Sequence, residues 1–393
     1  MIVAFLAGRP LGAVCDALLS HGWEGDLSRT STAALEPLAL EALEVPPETL
    51  EALVPTAGRF GLDVVTGEGW AVLAGARARL SALAGSGTLP AALSPLVQAL
   101  GAAMPGDEPN VWRTAHGPVS LDRPVLVGVL NVTPDSFSDA GRWATVEAAV
   151  ARGEQLLQDG ARILDVGGES TRPARPAVVD EEEERRRTIP VIAALARRFP
   201  GALISIDTVK AGVARTAAEA GAAIINDVSA GRLDPEILRV AAQSRAGLVL
   251  MHSRGDVSDM ASYDHAHYPA GVVPAVVGEL RQRLEAARLA GVEFEATVVD
   301  PGLGFAKTPL QSITLCRQLG ALRALGRPIL VGPSRKRFIG ELTGQPVERR
   351  DLGTAAACLL AWQQGARLFR VHEVVPTRDA LAVAAGIERI PLT

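Results

Sequence analysis

Cysteine is scarce: only Cys15, Cys316 and Cys358 occur in 393 residues, far apart and in no paired motif. That excludes a disulfide framework and fits three apolar residues of a reducing compartment. An excess of positive charge is also missing. The formal net charge of −5 leaves no electrostatic basis for binding nucleic acid or an anionic membrane surface. An anionic small substrate would need positive charge gathered locally. No run is long and uncharged enough to span a bilayer. The apolar residues 1–6 have no basic segment before them and soon meet Arg9 and Asp16, so they read as a strand, not a signal peptide, and a cytoplasmic location is expected. Gly167-Gly168-Glu169 is no dinucleotide fingerprint, and nothing matches a P-loop. What the chain does have is apolar content, 48% against 21% charged, enough for one large or two medium domains.

Residues 1–117 read differently from the rest, as a small accessory domain, α/β or mostly helical, with its linker. A strand is expected over 2–7 and helices over 11–20, 31–43, 47–53, 77–83 and 91–100. Residues 61–65 and 70–74 flank Thr66-Gly67-Glu68-Gly69 as a strand–turn–strand unit. Two prolines, two glycines and Asp107-Glu108 make 102–117 a linker. No His, Cys or carboxylate cluster of catalytic spacing occurs there.

From residue 118 to 393 strand and helix alternate. Strands are expected at 125–130, 162–166, 203–206, 223–226, 247–251, 297–299, 328–331 and 368–371. Helices lie between them, clearest at 180–196, where Asp180 is a candidate N-cap with Glu183 three residues on. Glu181, Glu182 and Glu183 each precede an Arg by four residues, which predicts a solvated, ion-paired face without catalytic role. Thr208 is placed to cap a helix over 209–220. Eight such units predict a closed (β/α)₈ TIM barrel, with a doubly wound open sheet as the alternative.

Each strand ends in a polar side chain. The first gives Asn131 and Asp135, the second Asp165 and Glu169-Ser170-Thr171-Arg172-Pro173, the third Asp207, the fourth Asn226-Asp227. His252 and Arg254 follow the fifth, Asp300 and Lys307 the sixth, Ser334-Arg335-Lys336 the seventh, and Arg370 and His372 lie at the eighth. In a barrel these ends share one mouth. Asp207, Asn226 and Asp300 suit a flat heterocycle rich in N–H donors and ring-nitrogen acceptors, because burying them unpaired is costly. Lys336, Arg370 and His372 form a cationic rim suited to phosphate oxygens. Asn131 and nearby carboxylates suit a hard cation. His252 reads as a core histidine rather than a ligand contact, Asp227 equally as a loop cap or a ligand group, and Arg254 and Lys307 as solvated.

These residues resemble the dihydropteroate synthases. The motifs that carry the resemblance are Leu130-Asn131-Val132-Thr133-Pro134-Asp135-Ser136-Phe137-Ser138-Asp139, Asp165-Val166-Gly167-Gly168-Glu169-Ser170-Thr171-Arg172-Pro173 and Asp300-Pro301-Gly302-Leu303-Gly304-Phe305. Shorter matches are Ser205-Ile206-Asp207-Thr208, Ile225-Asn226-Asp227, Met251-His252, Ser334-Arg335-Lys336 and Arg370-Val371-His372. The match runs over about residues 119–390, and the first hundred or so residues have no counterpart in short family members. Departures are small: Leu303 where an aromatic is common, Pro333 before the Ser-Arg-Lys, and Ala140 for a usual glycine.

The resemblance implies a transferase of folate biosynthesis that joins (7,8-dihydropterin-6-yl)methyl diphosphate to 4-aminobenzoate and releases diphosphate. It implies that Asp207, Asn226, Asp300 and Lys336 bind the pterin, and that Thr171, Arg370 and His372 hold the diphosphate. Thr171, Pro173, Ser334 and Lys336 would shape the 4-aminobenzoate site, and Asn131 would contact Mg²⁺. Asp135, Asp300 and Lys336 would be catalytic, and loops 132–142 and 171–178 are expected to close over the site. It further implies a homodimer and a sulfonamide target. A methyltetrahydrofolate-type pterin methyltransferase is one alternative, although it needs no diphosphate clamp and no corrinoid-binding domain is evident. A non-catalytic pterin-binding paralogue is the other.

Overall fold

The computed structural model describes residues 2–5, 37–43, 45–86, 89–94, 96–97, 109–133, 146–169, 179–269 and 271–388. Contacts divide the chain into two compact units, Met1–Glu108 with Gly320–Gly326, and Pro109–Leu319 with Arg327–Thr393.

In the first unit β1 (Ile2–Phe5), β2 (Pro37–Leu43), β3 (Asp63–Gly67) and β4 (Trp70–Ala76) form an antiparallel sheet in the order β1-β2-β4-β3. The expected strand–turn–strand unit is the β3–β4 hairpin. Residues 37–43, expected to end a helix, are instead a strand. They pair along their whole length with β4, from Pro37↔Ala76 to Leu43↔Trp70, so sheet pairing overrides their helical propensity. Pro37 stands at the strand's first position, where a missing N–H is tolerated. Helix α1 (Pro47–Arg59) opens on a proline at its first turn and runs six residues past its expected end, and α2 (Arg77–Ala84) follows β4. Leu53 and Ala57 of α1 bury against Ala42, Ala71, Leu73, Leu80 and Leu83. The expected helix at 11–20 lies outside the described residues.

The second unit begins with β5 (Val111–Thr114) and β6 (Gly117–Ser120), an antiparallel hairpin whose first strand lies in what composition marks as linker. Ala115 and His116 make the turn, Gly117 leaves it with φ 106°, and alternate residues of β5 face inward. Eight parallel strands then close into a barrel: β7 (Val125–Asn131), β8 (Ile163–Gly167), β9 (Leu203–Asp207), β10 (Ile224–Asp227), β11 (Gly247–Met251), β12 (Thr297–Asp300), β13 (Ile329–Val331) and β14 (Ala366–Val371). Register follows chain order, and β14 closes the ring on β7 through Leu368↔Val125 to Val371↔Gly128. Trp112, Val119 and Leu121 of the hairpin segment bury among Val125, Val127, Ile163, Val249, Val298 and Leu330. The Trp112 indole N–H donates to the Ala296 carbonyl at 2.8 Å. The hairpin therefore packs over the strand starts at the N-terminal end of the barrel, and the strand ends that carry the polar residues lie at the other mouth.

Helices α3 (Val146–Gln158), α4 (Glu181–Arg198), α5 (Ala211–Glu219), α6 (Glu236–Ser244), α7 (Val272–Leu289), α8 (Pro309–Arg317), α9 (Arg337–Thr343), α10 (Asp351–Gln363) and α11 (Val374–Glu388) alternate with the strands. Asp180 caps α4 as expected, accepting the Glu183 N–H at 2.8 Å. Two of the three expected ion pairs of α4 form, Glu181 with Arg185 and Glu183 with Arg187, while Arg186 turns to Glu183 instead of Glu182. Thr208 does not cap α5. The helix begins later, and Asp234 from the loop between β10 and α6 accepts the Ala211 N–H at 2.8 Å.

Candidate active site

The open mouth is built on one rung of neighbouring strands. Asn131 of β7 stands opposite Gly167 of β8, Gly167 opposite Asp207 of β9, and Asp207 opposite Asn226 of β10. Gly167 has no side chain between its neighbours. A Cβ there would lie 3.5 Å from Asn131 Oδ1 and 3.7 Å from Asp207 Oδ2, so the glycine leaves a cradle lined by oxygen.

One turn of the pleat below, Asp165 is 1% exposed. Its Oδ2 accepts from Arg370 Nε at 2.6 Å and from Asn226 Nδ2 at 3.0 Å, while Oδ1 is buried without a partner. Arg370 Nη2 reaches Asp207 Oδ2 at 2.6 Å. Arg370 thus stands between two carboxylates. Burial pushes the Asp207 carboxyl up, to about 7; Arg370 opposes this, and Asp165, Glu184 and Asp227 add to it. Burial opposes the charge on Arg370, but Asp165, Asp207 and Asp300 outweigh it and hold the guanidinium charged. By donating through Nδ2 to Asp165, Asn226 keeps its Oδ1 as an acceptor.

Asp300 closes β12 opposite Met251 and is buried. Gly302 N–H donates to its Oδ1 at 2.7 Å. Burial raises its carboxyl to about 6, against Gly302 and the charges of Lys336, Arg370 and Lys307. Lys336 stands at the N-cap of α9, its Nζ 3.9 Å from the centroid of the Phe305 ring. Burial and the nearby Arg370 lower its ammonium to about 8, with Asp300 and Asp207 opposing. Arg335 before it is left-handed, φ 59°, and is anchored by a two-pronged pair with Asp351 at 2.8 and 2.9 Å.

Ser334 and His372 face each other across β13 and β14. Ser334 Oγ lies 2.9 Å from His372 Nδ1 and accepts the His372 backbone N–H at 3.2 Å. Arg152 of α3, which sequence reading missed, donates to the His372 carbonyl at 2.9 Å and to Glu373 at 3.1 Å. A helical arginine in a repeating apolar pattern carries no local signal of that contact.

Asp207, Asn226, Asp300, Ser334, Lys336, Arg370 and His372 therefore gather at one mouth with Asn131. Asp135, Thr171 and Pro173 lie outside the described residues, as do nearly all of loops 132–142 and 171–178. Asp227 is a loop cap: its carboxylate accepts from Ser229 N–H and Oγ at 2.7 Å each and from Gly231 N–H at 2.5 Å. His252 is a core histidine, 3.0 Å from Glu279 Oε2. Two expectations fail. Lys307 is not solvated but 1% exposed, and Arg254 is drawn down onto Glu279 and over the Tyr268 ring. Sequence showed a lysine after a loop, but not the acceptors that folding brings to it. The charged face of α4 also has an unread inner side, where buried Glu184 and Glu169 both pair with Lys210, at 2.5 and 2.8 Å.

Among the described residues no cluster of three or more His, Cys, Asp or Glu is arranged to hold a metal ion. A single amide oxygen beside an oxygen-lined cradle instead suits a cation that arrives with phosphate oxygens and keeps waters, the habit of Mg²⁺.

The family of pterin binding enzymes matches residues 127–372. A dihydropteroate synthase of Synechocystis sp. is 44% identical over 273 residues, 68% of this chain and 91% of that protein. Among solved structures, the Xanthomonas albilineans dihydropteroate synthase with 4-aminobenzoic acid is 46% identical with a TM-score of 0.67, covering 72% of this chain and 99% of that one. The same organism's enzyme in complex with 7,8-dihydropteroate is 44% identical, TM-score 0.63, covering 70% and 97%.

Proposed function

The chain belongs to the pterin binding enzymes, and from that premise we propose that it is a dihydropteroate synthase, a transferase of folate synthesis. It condenses (7,8-dihydropterin-6-yl)methyl diphosphate with 4-aminobenzoate, giving 7,8-dihydropteroate and diphosphate. The observation that carries the reading is a barrel mouth whose floor offers acceptors and whose edge offers cations. Asn226 Oδ1 and the carboxylates of Asp207 and Asp300 accept from the amino and ring N–H groups of the pterin. Lys336 donates to its acceptor atoms. In the reaction the exocyclic C–O bond to diphosphate breaks and a C–N bond to the aryl amine forms, with one proton lost from the amine. An aryl amine is nucleophilic while neutral, so this chain's task is to orient it and to stabilise departing negative charge. Lys336, Arg370 and His372 supply that positive side, and Ser334 stands beside them for the 4-aminobenzoate. Thr171 and Pro173 are assigned to the 4-aminobenzoate edge, Thr171 also to the diphosphate, and Asp135 to electrostatic support of the cationic methylene, all from the family motifs.

We assign Asn131 to Mg²⁺; when bound, the ion neutralises charge on the diphosphate oxygens. Residues 1–117 are assigned an accessory role and 118–393 the catalytic one. A homodimer is supported by Leu352 and Leu360 of α10 and Val383 and Ile387 of α11, all large, apolar and exposed on two mutually packed helices. Sulfonamides, as analogues of 4-aminobenzoate, would compete at the same edge. No helix among the described residues is long and apolar enough to cross a membrane, and Cys316 and Cys358 are unpaired, which suits the cytoplasm.

The test is one assay: purified protein, the pterin diphosphate, 4-aminobenzoate and Mg²⁺, with diphosphate release followed. Release that needs 4-aminobenzoate supports the reading. Pterin binding without release identifies the silent paralogue, and methyl transfer from methyltetrahydrofolate identifies the other alternative.

A further inference from the structure

Behind the proposed pterin pocket lies a buried lysine that the reaction does not use. Lys307 follows the Asp300–Phe305 turn, and its ammonium is enclosed by three acceptors. They are His252 Nδ1 at 2.8 Å, the Phe305 carbonyl at 2.9 Å and the His252 carbonyl at 3.3 Å. Three N–H donors meet three acceptors, so the group is saturated. His252 is kept neutral, lowered to about 4 by burial and by Lys307. A neutral ring that accepts at Nδ1 carries its proton on Nε2, and that proton faces Glu279 Oε2 at 3.0 Å. Glu279 in turn is held by Arg254. The bonds form one chain from the surface of α7 to the interior of the β12 loop.

What the chain holds is the pocket. His252 N–H donates to the Asp300 carbonyl at 2.9 Å. The His252 carbonyl lies so close to Gly302 that a Cβ there would be 1.9 Å from it, and Gly302 is the residue that bonds the Asp300 carboxylate. Phe305, whose carbonyl Lys307 grips, presents the ring under Lys336. The turn itself is backbone-strained, with positive φ at Gly302, Gly304 and Ala306. A non-glycine residue at φ 48°, as Ala306 is, persists only where its surroundings impose it. Ala306 is pinned by its N–H to the Met260 carbonyl at 2.6 Å and by Tyr268 Oη to its own carbonyl at 3.0 Å.

We propose that Lys307 is a positioning residue: by tying the β11 end to the β12 loop it fixes the Asp300 carboxylate and the Phe305 platform of Lys336, and so sets pterin affinity without touching the pterin. This rests on the reading of the site as a pterin pocket.

The experiment measures binding of 6-hydroxymethylpterin and, separately, of inorganic diphosphate with Mg²⁺, to the full chain well below its melting temperature. In Lys307→Met, which leaves two buried carbonyls and an imidazole without their donor, the pterin Kd, which depends on both Asp300 and Lys336, is expected to rise about tenfold or more, while the diphosphate Kd, affected through Lys336 alone beside Arg370 and His372, rises by a clearly smaller factor of about two to three. General loosening of the barrel would weaken both. Should Lys307→Met not accumulate as folded protein, His252 serves instead. His252→Leu removes an acceptor and should raise the pterin Kd, whereas His252→Asn keeps an oxygen near the place of Nδ1 and should not. Equal pterin affinity in wild type and Lys307→Met, equal loss of both ligands, or indistinguishable His252→Leu and His252→Asn overturns the inference. A wild-type chain that binds no pterin overturns the reading of the pocket instead.

Discussion

Replacing Arg370 by methionine is the sharpest test of the site's electrostatics. The guanidinium bonds Asp165 and Asp207 at 2.6 Å each, and those side chains are 1% and 21% exposed. Methionine conserves much of the volume but removes the charge, leaving two neighbouring carboxylates uncompensated. Breaking a buried ion pair from one side costs about 3–5 kcal/mol. That loss depends on pH, and its sign follows from proton binding. Asp207 titrates above an unfolded aspartate even with Arg370 present, about 7 against 3.8. The folded barrel therefore binds the extra proton between those values, and the stability this confers fades as pH rises through about 7. Without Arg370 the Asp207 carboxyl loses the charge that opposes its upward shift, so the variant has little to lose in acid and most to lose once that group must ionise. For a unit of this size 1 kcal/mol is about 2–4 °C in Tm, which gives a drop of roughly 6–20 °C near pH 8, shrinking to a few degrees near pH 5. Thermal unfolding followed by circular dichroism across that range provides the measurement. A Tm deficit that stays constant with pH would show that Arg370 acts by packing and would refute the charge argument. Adding Asp165→Asn should return part of the deficit near pH 8, because the two changes share one network.

Other outcomes follow from the same geometry. Lys336→Met should lower kcat/KM by about 100-fold, near 3 kcal/mol of transition-state stabilisation, and near-wild-type turnover would remove it from the site. Asp300 is raised to about 6, so the acceptor it offers the pterin is lost as pH falls through that value. Pterin affinity should weaken on the acid side, and an Asp300→Asn variant should bind weakly and keep only the limb that Asp207 contributes near 7. Trp112→Ala opens the hairpin's packing on the barrel and should cost about 3–5 kcal/mol of stability, read by denaturant unfolding, with KM unaltered if the hairpin serves only the core. Removing residues 1–108 should leave kcat/KM within about threefold if that unit is accessory; a loss of the order of a removed catalytic group would give it a part in turnover.

The barrel was legible because its signal is local. Most strands are short, largely buried apolar runs, and a polar residue such as Asn131, Asp207, Asp227 or Asp300 closes several of them. The candidate site was legible for the same reason, since in a closed parallel barrel all strand ends share a mouth. Residues 37–43 misled because Pro-Leu-Ala-Leu-Glu-Ala-Leu carries helical propensity, and only pairing with β4, some thirty residues on, decides for strand. The linker reading of 102–117 did not foresee the first strand of the hairpin, where Trp112 becomes core only once the strand bases surround it.

The amino-acid order alone determined the alternation, the closure into a barrel and the identity of the side chains at its mouth, because periodicity and strand-end chemistry act over a few residues. Only the tertiary structure decided which of those side chains face one another and in what charge state. Arg370 meets Asp165 from 205 positions away, and Lys307 meets His252 from 55. Desolvation and Coulomb interaction depend on such distances in space, and no local pattern in the chain encodes them.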